Sequence, residues 1–384
     1  MDASTETRKR LEEDIEILLD KKLGYVRAGL PRFPALFGRD SCIVSWQLLD
    51  YDPAIAEKTL SLLGHLQGKE VHRMREEEPG KIPHEWHPDP AAYKPLPWPL
   101  PYYGSVDATP LFVWLSWLYY EKTVDTEWLT RHWPHVEQAL AWCASAGDPD
   151  GDLFLEYERK NPSGLFHQGW KDSTRDHLRL TPPVKIVEVQ GYLYAALRAG
   201  SECATTLKKL ELAADLGRRA ALLKERFLEA FWLPGKRYFG FARTPQELDE
   251  RVTSNPGHLL FTGILEGETE KIAAVVERLF ASDMWTPYGI RTHSALEHDF
   301  DPTSYHLGSV WPHDNWITAE GMRRNGYDAE HGKVKKALRS AHEAFGKIPE
   351  LYAVSDGRLE EIPVACAPQA WSSGALLNFL TEKS

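Results

Sequence analysis

Asp172 and Glu350 lie in two short segments that are far apart in the chain but chemically alike in setting. Asp172 closes the run Leu165-Phe166-His167-Gln168-Gly169-Trp170-Lys171-Asp172-Ser173, a carboxylate beside a Trp in a glycine-bounded stretch. An apolar wall and a nearby carboxylate both raise a carboxyl pKa, which a general acid needs near neutral pH. Local sequence also lets Asp172 cap a turn or pair with Lys171 or Arg175, and Asp176 competes for the acid role. Glu350 follows a Pro and precedes an aromatic in Lys347-Ile348-Pro349-Glu350-Leu351-Tyr352, with Glu360 and Glu361 as competitors. Glycoside hydrolysis needs such a pair on opposite sides of the scissile bond, one protonating the leaving oxygen and the other activating water.

Three further segments carry polar groups suited to sugar hydroxyls. Phe37-Gly38-Arg39-Asp40 offers a charged donor fork beside an acceptor, although Asp40 could equally cap a helix. Asp107, in Tyr102-Tyr103-Gly104-Ser105-Val106-Asp107, is open to the same two readings. Tyr305-His306-Leu307-Gly308-Ser309-Val310-Trp311-Pro312-His313-Asp314-Asn315 mixes polar side chains with aromatics, and Trp311 suits core packing as well as substrate contact. His84-Glu85-Trp86-His87 lacks the i, i+4 histidine spacing of a helical zinc site, so no catalytic metal is expected. No Walker loop, post-strand GxGxxG or nucleophile elbow is present. Their absence weighs against phosphoryl transfer, nicotinamide chemistry and α/β-hydrolase chemistry, and no organic cofactor is expected.

The elements that must position these residues are helical. Apolar residues recur at spacings of three and four, as in Ile186, Val189, Leu193, Ala196 and Leu197, or Val334, Ala337, Leu338 and Ala341. The pattern predicts helices over 5–22, 40–50, 53–67, 107–122, 125–145, 185–205, 207–231, 255–265, 267–281, 309–325, 327–346 and 367–381. Asp52-Pro53, Asp125 and Asn255-Pro256 read as helix starts. LFLEYE (153–158) and RYFGFA (237–242) read as small hairpins. Links after the even-numbered helices are short, whereas long or distinctive segments precede them. Short links make antiparallel neighbours. The expectation is an all-α (α/α)6 toroid, one barrel over residues 1–384, with the even helices as an inner ring. The distinctive segments would then gather at one rim, above helix N-termini that carry free N–H groups and partial positive charge. An open α-solenoid is the structural alternative.

The 384 residues carry a net charge of −11, which opposes nucleic-acid or anionic-membrane partners. No apolar run approaches a membrane span, and MDASTETRKRLEEDIEILLDKK is too polar for a secretory leader. Cys42, Cys143, Cys203 and Cys366 form no CxxC pair and read as thiols in a reducing, cytoplasmic compartment. The 14 Trp, 15 Tyr and 14 Phe are more than core filler requires, because many sit beside Pro and Gly, as in KPLPWPLPYYG. Such rings make platforms for the C–H faces of sugars, so a carbohydrate is the expected partner.

AGLPRFPALFGRD, YYGSVDATPLF, QGWKDS, VQGYLYAALRAGSE, GSVWPHDN, PEL and ACAPQAWSSGALL, in this order, resemble the amylo-α-1,6-glucosidase domain of glycogen debranching enzymes and related six-hairpin α-glycosidases. The resemblance runs from about residue 25 to the C-terminus. It implies an (α/α)6 barrel that hydrolyses an α-glucosidic bond with inversion, Asp172 as general acid and Glu350 as general base. It further implies that Arg39 and Asp40 hold the innermost sugar. Phe37, Asp107, Gln168, Trp170, Lys171, Trp311, His313, Gln369 and Trp371 would be further substrate-binding residues. Bacterial debranching-type members usually carry a β-rich domain before the barrel, and here the FGRD motif arrives at residue 37, so that domain is expected to be missing. A small α-glucoside, trehalose-like or glucosylglycerate-like, therefore stands beside a glycogen-type oligosaccharide. A sugar epimerase, a lyase or a binding toroid is the alternative outside hydrolysis.

Overall fold

The computed structural model describes residues 3–91 and 93–381. Its helices are α1 (Ala3–Leu18), α2 (Gly38–Gln47), α3 (Pro53–His65), α4 (Ala108–Thr123), α5 (Thr126–Cys143) and α6 (Val187–Thr206). They continue as α7 (Leu210–Phe231), α8 (Leu259–Thr262), α9 (Thr269–Leu279), α10 (Pro312–Arg324), α11 (Asp328–Phe345) and α12 (Ala370–Thr381). α2 packs on α4, α4 on α6, α6 on α8, α8 on α10, α10 on α12, and α12 back on α2, which closes the ring. α3, α5, α7 and α11 lean on this inner layer from outside, and α1 covers α12. The architecture is the expected all-α toroid.

Sequence explains which helices lie inside. α4 is apolar almost all round, and every residue from Ala108 to Ser116 is buried. A helix with no polar face has to be enclosed on all sides. α11 instead buries one stripe, His331, Val334, Ala337, Leu338, Ala341 and His342, and sends its charges to solvent. Removing the fully buried Leu338 side chain (Leu338→Ala) should cost about 2–5 kcal/mol. Where α10 crosses α8, Gly321 lets the two helices touch: a Cβ there would meet Leu260 Cβ at 2.6 Å and Phe261 N at 2.7 Å.

Helix boundaries shift from the expectation mostly by one to four residues. Asp52 and Asp125 cap α3 and α5 by accepting from Ala54 N and Trp128 N. The expected helix over 255–265 is the main correction. A 3-10 turn (Asn255–His258) leads into the single turn of α8, which ends at Gly263 with φ +81°. Asn255 does not cap it, because its amide donates to Glu188 Oε1 at 2.9 Å instead. The expected hairpin at 153–158 does not form. Asp148, Asp150 and Asp152 accept backbone N–H groups of the same loop, which curls the chain ahead of it. The stretch 237–242 supplies short strand pairs, Trp232–Leu233 with Tyr238–Phe239 and Lys185–Ile186 with Ala242–Arg243. A four-residue hairpin, Tyr352–Ser355 with Arg358–Glu361, follows Glu350 directly and was not anticipated.

Candidate active site

Four of the inner helices, α2, α4, α10 and α12, present their N-termini to one rim. Phe37, Arg39 and Asp40 stand at the start of α2, Asp107 at the start of α4, Trp311 and His313 at α10, and Trp371 at α12. A two-residue ladder, Leu36–Phe37 with Glu85–Trp86, holds the approach to α2. The loop bearing Asp172 is folded back by a bridge between His167 and Ser173.

The rim holds a cavity of about 400 Å³ lined by both Asp172 and Glu350. The sequence argument required two distant carboxylates to meet in one pocket, and they do. Phe37, Arg39, Asp40, Trp170, Trp311 and Trp371 line it with them. Asp176 is exposed and hydrogen-bonded to His167, whereas Glu360 and Glu361 lie exposed on the hairpin after Glu350. The competitors for both roles are therefore outside the pocket.

Arg39 organises the charged floor. Its side chain is 3% exposed, and Nη1 donates to both oxygens of Asp107, at 3.0 and 2.9 Å. Nη2 donates to Asp172 Oδ2 at 2.5 Å, which joins α2, the start of α4 and the Asp172 loop through one planar fork. Desolvation pushes the Asp172 carboxyl up to about 6; Arg39 opposes that shift and Asp107 adds to it. Burial pushes Asp40 up to about 7, against the pull of Arg39 and with the charges of Asp172 and Glu350 adding to it.

Glu350 is 2% exposed. Its backbone N–H donates to Cys366 O at 2.8 Å, and Cys366 N–H donates back to Oε2 at 2.9 Å. Tyr305 donates its hydroxyl to Oε1 at 2.5 Å. Burial raises the Glu350 carboxyl, while the hydrogen bonds from the Tyr305 hydroxyl and the Cys366 backbone N–H and the charge of Arg32 hold it down, and Asp172 raises it further. The walls are aromatic: Trp170 meets Trp311 edge-on at 5.7 Å, and the Trp311 indole N–H donates to Tyr305 O at 2.8 Å.

Five of the expected substrate-binding residues lie behind this wall and do not line the cavity. Asp107, fully buried, holds Arg39 and accepts from Ser105 Oγ at 2.6 Å. Gln168 donates to Glu76 Oε2 at 2.6 Å. Lys171 sends its ammonium away from the cavity to Thr292 O at 2.7 Å, where burial lowers its pKa against the charges of Asp314 and Glu188. His313 stacks on Trp371 at 3.7 Å with a 7° tilt and backs the aromatic floor. Gln369, with its amide turned to suit both neighbours, donates to Ala28 O and accepts from Trp371 Nε1. The resemblance gave them as ligand contacts, and their buried hydrogen bonds and ring contacts make them supports of the wall.

Other lining residues were missed: Phe33, His84, Glu85, Lys94, Trp98, Tyr305 and His306 among them. The segment KPLPWPLPYYG had flagged an aromatic loop. Its Trp98 indole and the nearby Tyr93 hydroxyl both donate to Glu85, at 3.1 and 2.8 Å, which fastens this loop across the pocket. His84 and Glu85 thus serve the pocket wall, and His87 stacks on Tyr93 outside it. Among the described residues, one acidic group has ligand-like spacing, Asp148, Asp150 and Asp152. It lies apart from the cavity, and Lys185 Nζ already sits 2.7 Å from Asp150 Oδ2 and 2.5 Å from Asp152 Oδ2.

A closed ring of helix pairs with two acids in one aromatic pocket defines a glycoside hydrolase of six-hairpin architecture. Residues 34–372 match the model of the mannosylglycerate hydrolase MGH1-like glycoside hydrolase domain, and the chain belongs to that family. Among solved structures, the GH63 mannosylglycerate hydrolase from Thermus thermophilus in complex with glucose is 17% identical, with a TM-score of 0.74, 98% of this chain covered and 100% of that one. The same enzyme in complex with Tris and D-glycerate gives 17%, 0.74, 97% and 99%. An uncharacterized conserved protein from the same organism gives 16%, 0.75, 97% and 99%. These likenesses carry the fold. Among curated proteins, none matches the chain. The resemblance to amylo-α-1,6-glucosidases thus holds at the level of the six-hairpin glycosidases.

No helix among the described residues is long and apolar enough to cross a membrane, and the four cysteines are buried and unpaired.

Proposed function

We propose that this protein is an inverting, exo-acting hydrolase of a small α-hexoside with a short carboxylated aglycone, of the mannosylglycerate or glucosylglycerate kind. The observation that carries the reading is that Asp172 and Glu350 share one cavity of about 400 Å³. A pocket of this size suits one sugar and a small aglycone better than a polymer surface. The family match supports the small glycoside over glycogen debranching. Two exposed cations at the mouth also support it. Lys94 lines the cavity, and Arg32 lies over the Tyr305 ring at 5.7 Å, although the chain as a whole is acidic. The buried unpaired thiols support a cytoplasmic setting for this single catalytic barrel.

In this mechanism Asp172, protonated through its raised pKa, gives its proton to the glycosidic oxygen. Glu350 removes a proton from a water whose oxygen bonds to the anomeric carbon from the opposite face as the glycosidic C–O bond breaks, through an oxocarbenium-like transition state. Arg39, its fork fixed by Asp107, presents a rigid positive charge to the sugar and to the ionised Asp172 left after transfer. The test is a glycoside panel (mannosylglycerate, glucosylglycerate, trehalose and α-1,6-linked maltooligosaccharides) with the product anomer followed by proton NMR. The expected result is a glycerate glycoside as best substrate and inverted product. Retention of configuration overturns the mechanism, and preference for the branched oligosaccharide restores the debranching reading.

A further inference from the structure

The sequence motif Tyr305-His306-Leu307-Gly308 enters the pocket, although within that flagged segment only Trp311 and His313 were named as substrate-binding residues. Tyr305 lines the cavity and reaches across from a loop before α10 to the carboxylate that follows α11. Its ring stands edge-on to Trp311 at 4.9 Å, and its backbone oxygen accepts the Trp311 indole N–H. The hydroxyl is thus aimed by a fixed aromatic frame rather than by a mobile side chain.

We propose that Tyr305 is a positioning residue for the water-activating carboxylate, turning Glu350 Oε1 toward the cavity while Cys366 N–H pins Oε2. The inference rests on the role of Glu350 given under Proposed function. Each carboxylate oxygen offers about two lone-pair directions. One on Oε1 is taken by Tyr305, which leaves the other for the attacking water. A hydroxyl that donates to a carboxylate oxygen makes a charge-assisted hydrogen bond, which favours the ionised form that a base requires. The other charged or titratable groups that act on Glu350 are Arg32, which also favours ionisation, and Asp172, which opposes it. Burial raises both Asp40 and the Cys366 thiol, and the Glu350 charge adds to each shift. Among these, only Tyr305 contacts Oε1 directly.

The experiment is the pH dependence of kcat/KM on the best glycoside of the panel, for wild type, Tyr305→Phe and Glu350→Gln. Tyr305→Phe keeps the ring packing and removes only the donor. The acid limb, which reports the base losing its proton, should move to higher pH by about one to two units. Well above that limb the variant should recover much of its rate. A folded Tyr305→Phe enzyme with an unmoved acid limb overturns the proposal. Should the variant not fold, fluorotyrosine placed at 305 gives a more acidic donor, and the limb should then move down; an unmoved limb again overturns it. Glu350→Gln separates the two ideas: if it stays active, the assignment of the base is wrong whatever Tyr305 does.

Discussion

Asp107→Asn tests whether the charged floor works as a unit. Asp107 touches no part of the cavity, so a purely local view gives it no effect on catalysis. It is, however, the buried counter-charge that holds Arg39, with side-chain exposures of 0% and 3% for the pair. Breaking a buried pair on one side costs about 3–5 kcal/mol, and Asn, which keeps one acceptor oxygen, should fall at the lower end. At about 2.1 cal/mol/K per residue, unfolding this 384-residue chain has an entropy of roughly 0.8 kcal/mol/K, so the midpoint should drop by about 4 °C. The catalytic consequence has a definite sign. Asp107 is one of the charges that raise Asp172, and Arg39 is the one that lowers it. Without Asp107, Arg39 turns its charge more fully on Asp172, whose carboxyl should fall below its present value of about 6. The acid must be protonated to act, so the basic limb of kcat/KM should move to lower pH. Thermal unfolding and a pH–rate profile of the same preparation read both effects. A variant with an unchanged midpoint and an unchanged basic limb would refute the coupling of Arg39 to Asp172 through its buried partner.

Three further expectations can be checked directly. Asp172→Asn and Glu350→Gln should each lower the rate by about a hundredfold or more in steady-state assays while leaving the circular dichroism spectrum intact; a smaller loss in either removes that residue from the mechanism. Asp40, raised to about 7, holds a proton in the folded state that the unfolded chain has released above its ordinary value of 3.8. Its contribution to stability is therefore present at low pH and lost as pH rises toward 7, and Asp40→Asn should flatten that part of a melting-temperature-versus-pH curve. Arg32→Ala with Lys94→Ala should raise KM for a glycerate glycoside by about tenfold and leave an uncharged aryl glycoside nearly unchanged; equal effects on both would remove the anionic aglycone from the argument.

Architecture was readable because helical periodicity and alternating link lengths are local properties of the chain. The 255–265 segment departs because Asn255 has a buried carboxylate, Glu188, to satisfy, and that partner lies in a different helix. The hairpin after Glu350 was hidden because Tyr352–Ser355 is a mostly apolar run and only its pairing with Arg358–Glu361 makes it a strand. Residue type and motif order pointed to Asp172, Glu350, Arg39, Trp170, Trp311 and Trp371, and all six line the one cavity. Lys171 and His313 stand outside the lining for one reason: a polar side chain next to a pocket residue points either at the ligand or at the core, and neighbours in three dimensions decide which. Tyr305 was overlooked for the converse reason, since a tyrosine in an aromatic-rich loop carries no mark of the carboxylate it will meet.

The closure of α12 onto α2 also governs when the pocket can exist. Arg32 bonds to Val364 O across 332 positions, and Gln47 to Trp371 O across 324. The floor laid down by Arg39 early in the chain therefore waits for Glu350 and Trp371 at the far end. Such distant pairings are slow to form and come late. A chain stalled or cut ahead of α12 would hold most of the staves and no working chamber, so catalytic competence should switch on only with the last helix, and sugar turnover becomes a sensitive reporter of complete assembly.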